Sequence, residues 1–571
     1  MRRTFNEHIT RKVSDLCGTW RFLMDPEKKG EELGYTLGLP EGEMVTVPSV
    51  WNTDLGKLNY EGVAWYEKTF YTQGGTLLFD FESVMTQADV YFDGNHVGSH
   101  YGAFSEFDII VKNVKEGFHT LVVRVDSSVN EKSIPQRKVD WFNYGGIARD
   151  VSLHSLEGIS ILSNHIKYTL SKDLTSADVS STIELFNANG EKCQSRVLIA
   201  IGEHEIYAEN IELDPYETKI IHTPCVKIDN VDLWDIDDPV LYSVVASTDT
   251  DDLIDRIGFR YIEASNNKIT LNGRGIEIRG VNRHEEHPDW GFAFPAQLMK
   301  KDVDLIRDLG CNSVRGSHYP QSRAFVDMLD ERGILFWSEI PIWGCGFSES
   351  ALNDPDVVER GLEMHKEMVK YYYNHPSIII WGMHNEVWTP YPCVYEISKK
   401  YSEFLRENGG NRLITHATLC PLEDPTYEFD DIICINLYNG WYYGDLKSWD
   451  KLMVDMAEYM KKTGNVGKPV IMSEFGAGAL AGYHSHFDKV RWSEESQADL
   501  LEYCLNLFHK TDYIHGFYIW QFCNIRTWHE MNLNRVRCFN NKGILDEHRN
   551  PKAGYFAVRK LYHQFASEEN N

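Results

Sequence analysis

The chain has 571 residues, and this length predicts several domains, because a single domain seldom exceeds about 250 residues. Hydrophobic residues make up 42% of the sequence and charged residues 25%, which is typical of a folded globular protein and excludes a disordered one. The formal net charge is −28 and no run is rich in lysine and arginine. A nucleic-acid partner is therefore not expected, since phosphate binding needs a basic surface.

The N-terminal segment and the cysteines bear on the cellular compartment. Residues 1–16 include basic side chains but not the apolar core of a signal peptide, and no apolar run reaches the roughly 18 residues of a membrane span. The 11 cysteines are scattered without CxxC pairs, which favours reduced thiols over a disulfide framework. The sequence therefore predicts a cytoplasmic protein without a membrane partner.

The first half of the chain has the pattern of β-structure. Short alternating runs are separated by turn signals such as Asp93-Gly94-Asn95. Residues 1–155 form one predicted domain, and residues 156–264 form a second whose length suits an immunoglobulin-like β-sandwich. The predicted strands are Leu77–Phe81, Ala88–Phe92, Thr120–Val125 and Val151–Leu153 in the first domain, and Thr182–Phe186, Ser195–Ile201, Tyr242–Ala246 and Ile257–Tyr261 in the second.

Residues 265–571 have a different pattern, in which short apolar strands alternate with stretches at helical spacing. The clearest helical stretches are Pro295–Leu309, Arg323–Glu331 and Ser493–Phe508. Eight such units match the size of a (β/α)8 barrel, also called a TIM barrel. The eight predicted strands are Ile276–Val281, Asn312–Arg315, Ile334–Ser338, Ile378–Met383, Arg412–His416, Ile432–Ile435, Val470–Ser473 and Gly516–Trp520.

Polar residues follow most of the predicted barrel strands. In a (β/α)8 barrel the active site lies at the C-terminal ends of the strands, so these side chains are expected to share one rim and to form a pocket for a polar ligand. They are Asn282–His287, Arg315–Tyr319, Glu339, His384–Glu386, Asn436 with Tyr438, Trp441 and Tyr442, Glu474, and Trp520–Gln521.

Two glutamates on this rim, Glu386 and Glu474, follow the predicted fourth and seventh strands. A retaining glycosidase needs one carboxyl group to protonate the leaving oxygen and a second to attack the anomeric carbon. A lone glutamate at a strand end is more often a surface or ion-paired residue, but both of these follow long apolar runs. Asn385 adds an amide that can hydrogen-bond a sugar hydroxyl beside the anomeric carbon.

Several longer motifs resemble those of one enzyme family. The first domain carries Val47–Asn52, Trp65-Tyr66 and Phe142–Ile147, and the barrel carries Gly280–Glu285, Ser317–Pro320, Trp381–Glu386 and Ser473–Gly476. Over nearly the full length the chain resembles glycoside hydrolase family 2, and within that family the β-glucuronidases. The resemblance implies an N-terminal β jelly roll, an immunoglobulin-like β-sandwich and a C-terminal TIM barrel. It also implies that Glu386 is the general acid/base and Glu474 the nucleophile. One departure is Val387, where family members commonly have proline.

The segment Asn540-Asn541-Lys542-Gly543 follows the eighth predicted strand. It resembles the Asn-x-Lys motif by which β-glucuronidases hold the carboxylate of the sugar, which implies that Asn540 and Lys542 select a uronic acid. The same residue types also favour a turn, which is the alternative interpretation of this segment. The preceding stretch, Arg535–Phe539, is one residue longer than the usual family spacing, so the path of this loop is less well predicted than its tip.

The resemblance implies further substrate contacts, each with rim packing or support of a neighbouring side chain as the alternative. A tyrosine near the nucleophile can hydrogen-bond it, a tryptophan can stack on the sugar ring, and an acidic residue of the first domain can reach a sugar hydroxyl. The segment Trp343–Asp354 is a candidate loop over the aglycone. The implied contact residues are Asn436, Tyr438, Tyr442, Trp520, Asp140, His284 and His318.

Neither a metal nor another cofactor is expected. His284-Glu285-Glu286-His287 lacks HExxH spacing and follows a strand instead of lying on a helix, and His484 with His486 is an equally weak metal motif. The two-carboxylate mechanism requires no metal ion.

The preferred hypothesis is a retaining β-glycosidase that hydrolyses small-molecule β-D-glucuronides and forms a homo-oligomer, either a dimer or a tetramer. A β-galacturonidase or a β-galactosidase of the same family is the alternative, and only the galactosidase would not need Lys542. A carbohydrate-binding protein on an inactive barrel is a third hypothesis. It predicts the loss of one catalytic glutamate, and both are present.

Overall fold

The computed structural model describes residues 3–137, 139–344, 346–528 and 535–569. The predicted order of two β-rich regions followed by a closed parallel barrel is confirmed. Among the described residues, no helix combines the length and the apolar character that crossing a bilayer requires.

The first region is a set of antiparallel strands in sheets of four, six and three strands. Along Gly117–Asp126, the side chains of Leu121, Val123 and Val125 enter the core that also holds Trp20. The strands are Lys12–Asp15, Gly18–Asp25, Glu43–Val47, Ser49–Val50, Val63–Thr72, Gly75–Phe81, Val84–Met85, Gln87–Phe92, Asn95–Tyr101, Phe107–Val114, Gly117–Asp126, Gly146–Ile147 and Val151–Leu156.

The second region is a β-sandwich with a separate apolar core. Its two sheets face each other through residues such as Ile161 and Val179 from one sheet and Val197 and Val244 from the other. The strands are Ile159–Leu170, Ser176–Asn187, Cys193–Ile201, His204–Leu213, Thr218–His222, Val226–Asp229, Tyr242–Ser247 and Asp252–Ile257.

The predicted strand over Ile257–Tyr261 is wrong beyond its first residue, because the observed strand, Asp252–Ile257, ends there. Instead of pairing with a neighbouring strand, backbone groups of this stretch form hydrogen bonds with the side chain of Tyr168. The hydroxyl of Tyr168 donates to the carbonyl oxygen of Gly258 at 3.0 Å and accepts from the amide of Arg260 at 3.1 Å. The apolar alternation in this stretch therefore reflects packing between regions of the chain.

The barrel contains all eight predicted strands, each with both ends within two residues of the prediction. Consecutive strands pair in parallel, and the eighth closes on the first. The strands are β1 (Ile278–Arg283), β2 (Ser313–Gly316), β3 (Leu335–Glu339), β4 (Ile378–Asn385), β5 (Leu413–Thr418), β6 (Ile433–Asn436), β7 (Val470–Phe475) and β8 (Ile514–Ile519).

Helices surround the barrel, and local sequence fixes several of their ends. Asp354 and Ser493 cap helix N-termini by accepting backbone N–H groups, and Gly333 ends a helix in the left-handed conformation. Between β5 and β6 the described chain has a short 3-10 turn, Thr426–Phe429, in place of an α-helix. The helices are Ala296–Leu309, Arg323–Arg332, Glu349–Leu352, Pro355–Tyr372, Pro392–Asn408, Ser448–Thr463, Glu494–His509 and Ala553–Glu569.

A small antiparallel sheet closes the N-terminal end of the barrel. Its apolar side chains, including Ile269 and Leu271, pack with Trp337 and Tyr518 from inside the barrel. With this end filled, the opposite end, where the strands finish, is left for a site. The strands of the small sheet are Ile262–Ser265, Lys268–Leu271 and Arg274–Ile276.

The first region reaches this open end of the barrel. The guanidinium group of Arg149 donates to the carboxylate of Glu285 at 2.8 Å, and the hydroxyl of Tyr144 donates to Glu286 at 2.6 Å. Both glutamates follow β1 and are buried. These bonds fasten the segment around residues 139–150 to the rim, where its side chains become part of the candidate site.

Candidate active site

Glu386 and Glu474, the carboxylate pair, lie on the C-terminal rim of the barrel. Glu474 is within β7 and buried, whereas Glu386 directly follows β4 and is partly exposed. The backbone of Glu386 has a φ of 52°, in the left-handed region, and its N–H donates to the carbonyl oxygen of Ala417 at 2.8 Å. A strained backbone at a reactive group is held by its surroundings at a cost of about 1–3 kcal/mol.

Arg315, at the end of β2, is the central cation of the site. Its Nη1 donates to Oε1 of Glu474 at 2.9 Å, and its Nε and Nη2 donate to the two oxygens of Glu339 at 3.0 and 2.9 Å. All three side chains are buried. The guanidinium group therefore fixes the orientation of Glu474 and stabilises its ionised form.

Two side chains at the C-terminal end of β6, those of Asn436 and Tyr438, orient the carboxylate pair. Nδ2 of Asn436 donates to Oε1 of Glu386 and to Oδ1 of Asn385, both at 3.0 Å. The hydroxyl of Tyr438 donates to Oε2 of Glu474 at 2.7 Å. Each glutamate thus accepts a hydrogen bond from the same short segment. The barrel strands that carry the two glutamates fix the separation of their carboxyl groups.

The two carboxyl groups have different electrostatic surroundings. Burial raises the pKa of Glu386 to about 8, and the nearby charge of Glu474 adds to this effect. Burial also raises the pKa of Glu474, to about 7, although Arg315 and Tyr438 oppose it. When the pair holds one proton, that proton therefore resides on Glu386, which leaves Glu474 ionised.

Several buried nitrogen atoms around the pair have no hydrogen-bond partner among the described residues. Oδ1 of Asn385 accepts from Arg315 and Asn436, which leaves its Nδ2 free. Unmade hydrogen bonds of buried polar groups are costly, so the pocket suits a ligand rich in oxygen atoms. The atoms are Nδ2 of Asn385, Nε2 of His284 and His318, and Nε1 of Trp141 and Trp520.

The aromatic floor of the pocket contains the rings of His284, His318, Trp141 and Trp520. The ring of His318 stacks on that of Trp520, with centroids 5.1 Å apart. His284 lies 5.5 Å from both Trp141 and Trp520. Burial lowers the pKa of both histidines well below its usual value, so both are neutral at physiological pH.

A second group of polar residues, the cationic corner, consists of Asp140, Tyr442, Arg535 and Lys542. Arg535 holds both carboxylate oxygens of Asp140, at 2.7 and 2.6 Å. Burial alone would raise the pKa of Asp140, but Arg535 and Lys542 keep it below its usual range. Nδ2 of Asn540 also donates to Asp140, at 2.7 Å. Asp140 is thus held in place by one cation and one amide.

Lys542 is the member of this corner whose charge is not balanced. Its Nζ donates to the hydroxyl of Tyr442 at 2.6 Å, and no carboxylate lies within ion-pair distance among the residues that the structure describes. The side chain is 3% exposed. Burial and the charge of Arg535 lower its pKa. A buried ammonium group of this kind is stabilised by an anionic ligand.

The stretch before the Asn-Asn-Lys-Gly segment turns sharply. Arg537 and Cys538 both adopt left-handed backbone conformations, with φ of 62° and 60°. The chain then forms a short strand, Phe539–Asn540, and Gly543 packs so tightly against Asn524 that a Cβ atom would lie 2.2 Å from its backbone nitrogen. This path directs Asn540 and Lys542 at the cationic corner.

The candidate catalytic and substrate-contact residues predicted from the sequence all lie at this rim, but in distinct positions. Asn385, Asn436 and Tyr438 contact the carboxylate pair or each other, whereas Tyr442 contacts Lys542. Val387, which replaces a proline common in the family, is buried in the barrel core. The residues thus divide between the carboxylate pair, the aromatic floor and the cationic corner.

Sequence reasoning missed Arg535 as a member of the site and assigned no function to Arg315. Arg315 lies at the end of a predicted barrel strand, and this position placed it on the rim but indicated no function. Arg535 precedes the Asn-x-Lys segment by several residues, and nothing in its sequence neighbours indicates that it pairs with Asp140 of the first region.

Trp343, in the loop after β3, also belongs to the site. The ring of Trp343 lies 5.9 Å from that of Trp141, and the N–H of Gly344 donates to the carbonyl oxygen of Asn385 at 2.8 Å. The predicted aglycone loop, Trp343–Asp354, thus starts beside the acid/base candidate and includes the short helix Glu349–Leu352. Cys345 within it lies outside the described residues.

Comparison with known proteins gives this geometry a family. Three models of glycosyl hydrolase family 2 match the chain in succession. The sugar-binding domain matches residues 13–157, the domain named for the family matches residues 159–260, and the TIM barrel domain matches residues 262–567. A β-glucuronidase of Streptococcus agalactiae is 26% identical over 95% of this chain and 95% of its own length.

Solved structures agree with the sequence comparison. A family 2 β-galacturonidase from Eisenbergiella tayi, bound to galacturonate, is 33% identical with a TM-score of 0.91 and covers 99% of both chains. A β-glucuronidase from Ruminococcus gnavus, in complex with D-glucuronic acid, is 26% identical with a TM-score of 0.85 over 98% of this chain and 99% of the other. The chain belongs to glycoside hydrolase family 2 and is a glycoside hydrolase.

Proposed function

We propose that the enzyme hydrolyses β-D-glucuronides to glucuronic acid and an aglycone, with retention of configuration at the anomeric carbon. The observation that carries the choice of sugar is Lys542, a buried ammonium group without a carboxylate partner among the described residues. The carboxylate of a uronic acid supplies the missing negative charge. The glucuronic acid bound by the relative from R. gnavus supports the same choice.

In the first step, Glu474 attacks the anomeric carbon while Glu386 gives its proton to the glycosidic oxygen. The bond to the aglycone breaks, the aglycone leaves as a neutral alcohol, and the sugar is held as an ester of Glu474. Arg315 and Tyr438 keep Glu474 ionised before attack. Burial keeps the proton on Glu386.

In the second step, Glu386 is a carboxylate and acts as a general base. It takes a proton from a water molecule, whose oxygen attacks the anomeric carbon and breaks the ester bond to Glu474. Two inversions give overall retention, and both glutamates return to their starting protonation states. Nδ2 of Asn385, which has no partner among the described residues, is available to the sugar hydroxyl beside the anomeric carbon.

At the cationic corner, Lys542 donates to the sugar carboxylate, and Asn540 adds a neutral amide beside it. Asp140 accepts from a hydroxyl of the sugar ring while Arg535 holds it in place. The aromatic floor packs against the ring, with Trp520, His284 and His318 supplying unpaired nitrogen atoms to its hydroxyl groups. This arrangement distinguishes a uronide from a neutral sugar by charge.

A β-galacturonide is the second candidate substrate, and a specific observation favours it. The β-galacturonidase from E. tayi is more similar to this chain than the R. gnavus enzyme, with 33% against 26% identity and TM-scores of 0.91 and 0.85. Both sugars carry the same carboxylate, so Lys542 serves either of them. They differ in the orientation of the hydroxyl at carbon four, which a contact such as Asp140 would read.

The test compares the 4-nitrophenyl β-glycosides of glucuronic acid, galacturonic acid and galactose with the wild type and Lys542→Ala. We expect the wild type to prefer a uronide. Lys542→Ala should lower kcat/KM for uronides by about 10- to 150-fold, the value of one charge-assisted hydrogen bond of about 1.5–3 kcal/mol. Lys400→Ala, on an exposed helix, is the control and should leave the ranking unchanged. Preferential cleavage of the galactoside by both the wild type and Lys542→Ala would contradict the proposal.

The cellular setting is part of the same proposal. Among the cysteines that the structure describes, none is joined in a disulfide bond, which supports a cytoplasmic location. A homo-oligomer, either a dimer or a tetramer, is supported by the family resemblance alone. Light scattering coupled to gel filtration tests the assembly, and a single-chain mass would contradict it.

A further inference from the structure

We propose that His484, His486 and Glu495 form a binding site for a divalent transition-metal ion of the Zn²⁺ class. The two histidines lie on the loop that follows β7, and Glu495 is in the first turn of the helix Glu494–His509. The hydrolytic reaction does not use these residues. The site is therefore a separate function of the loop beside the nucleophile strand.

The three side chains converge on one point. Nδ1 of His484 lies 2.8 Å from Oε1 of Glu495, and Nδ1 of His486 lies 3.0 Å from the same oxygen. The two imidazole rings are nearly parallel, with centroids 5.5 Å apart. All three ligand atoms lie within 4.8 Å of one another. Two imidazole nitrogens and one carboxylate oxygen are a common set of protein ligands for zinc.

The two distances from the histidine nitrogens to Oε1 of Glu495, 2.8 and 3.0 Å, are close to those between ligand atoms in an occupied site. With bonds of about 2.05 Å, neighbouring ligand atoms lie about 2.9 Å apart in octahedral and about 3.3 Å apart in tetrahedral geometry. An ion that enters between them would displace the protons now shared between the histidines and Glu495. Water would complete its coordination, because both imidazole rings are exposed.

Glu495 is preorganised as an anionic ligand. Its Oε2 accepts the N–H of Ser485 at 2.9 Å, and it lies at a helix N-terminus. Its second oxygen is thus fixed toward the two histidines.

Three other groups of potential ligands occur among the described residues, and each is less suited. Asp327 accepts from Nε and Nη2 of Arg3, and Asp252 accepts backbone N–H groups of the N-terminal segment. In the group around His287, Nδ1 already accepts the N–H of Asp289. The site at His484 combines solvent access with short distances between its ligand atoms.

A bound ion would join the outer part of the loop to the helix. The base of this loop lies against the cationic corner, since the N–H of Ala479 donates to the carbonyl oxygen of Asn541 at 2.9 Å. The ring of Trp492 meets that of Trp441 edge to face at 4.8 Å. Metal binding would thus stiffen a loop whose two ends contact Asn541 and Trp441, the residues that precede Lys542 and Tyr442 in the chain.

The test measures binding of Zn²⁺ to chelator-treated enzyme by calorimetry at pH 7.5, with Co²⁺ absorbance as a second readout. We expect one ion per chain at this site. The variant His484→Ala/His486→Ala should weaken binding by about 100-fold or more, and Glu495→Gln should weaken it as well.

The matched control is His548→Ala, which removes an exposed histidine of the group around His287. This variant should bind Zn²⁺ as the wild type does and show the same Co²⁺ spectrum. Absence of saturable binding, or equal binding by the wild type and the double histidine variant, would overturn the proposal. Loss of binding in His548→Ala alone would also overturn it, by moving the ion to the other group.

Discussion

At the carboxylate pair, Glu474 is held by Arg315 and Tyr438 in a setting where opposite charges balance, and the side chains come from barrel strands or directly after them. At the cationic corner, Lys542 retains an unbalanced charge, and its neighbours come from loops and from the first region. One part of the site is thus complete in the free enzyme. The other is completed by its ligand.

This difference separates reactivity from selectivity in physical terms. The carboxylate pair must have fixed protonation states before substrate arrives, so its hydrogen bonds are already made. The cationic corner must contribute favourable binding free energy when the correct sugar binds. One buried charge is therefore left for the sugar to pair with. Loops carry this second task, because their sequences can change without altering the barrel strands.

The largest effect is expected from a substitution that breaks the carboxylate pair. Glu474→Ala should lower kcat/KM for a nitrophenyl β-glucuronide by about 10⁴-fold or more, because no group then attacks the anomeric carbon. Added azide should restore turnover and give the α-glycosyl azide. For Glu386→Ala, azide should instead give the β-glycosyl azide, since the sugar ester still forms with a good leaving group.

The exposed Glu359, on the helix Pro355–Tyr372, supplies the control for this experiment, and Glu359→Ala should behave as the wild type. NMR of the azide products identifies the configuration. If the α-azide came from Glu386→Ala and the β-azide from Glu474→Ala, the two roles would have to be exchanged.

A smaller effect is expected at the cationic corner. Arg535→Gln removes the partner of Asp140, so that Asp140 competes with the substrate for the charge of Lys542. We expect kcat/KM for uronides to fall roughly 10- to 100-fold, mainly through KM. In Arg535→Gln/Asp140→Asn the competing carboxylate is gone, and uronide binding should recover in part.

Inhibition by free glucuronic acid measures the same contact without the chemical step. Its inhibition constant should rise in Arg535→Gln and decrease again in the double variant. Equal losses in both variants would indicate that Arg535 supports the corner by packing and that charge balance is not its contribution.

The smallest effect concerns the pH profile. The acid limb of kcat/KM follows protonation of Glu474, whose pKa lies at about 7, and the alkaline limb follows loss of the proton from Glu386 at about 8. Tyr438→Phe removes a hydrogen bond that favours the ionised form of Glu474. Its pKa should rise by about 0.7 unit, equivalent to about 1 kcal/mol, and the acid limb should move to higher pH.

In this variant the alkaline limb should stay near its wild-type position, so the active range narrows. Tyr503→Phe, which alters a hydroxyl bonded to Asp450 away from the site, is the control. An acid limb that does not move in Tyr438→Phe would contradict the assigned contact between the phenol and the nucleophile candidate.

The barrel could be predicted from sequence because its strands are apolar on both faces and its polar residues follow them directly. This local pattern located Glu386 and Glu474 at the C-terminal ends of the fourth and seventh barrel strands. The strand expected over Ile257–Tyr261 failed because Tyr168, distant in sequence, bonds its backbone. Local alternation carries no information about such a partner.

The polar contacts of the site were less predictable than its position. Arg535 and Asp140 are far apart in the chain, and only the folded arrangement of the first region and the barrel makes them a pair. The same holds for His484 and Glu495, which the loop after β7 brings together. Neither pair has a spacing that a sequence motif could have revealed.

Asp140 comes from the first region, and Arg149 and Tyr144 bind that region to the residues after β1. The sugar pocket is therefore a joint property of two folding units, although both candidate catalytic glutamates belong to the barrel. An ancestor could exchange its N-terminal unit and acquire a different wall for the sugar while keeping its reaction. In this architecture, new specificity can arise by recombination as well as by point substitution.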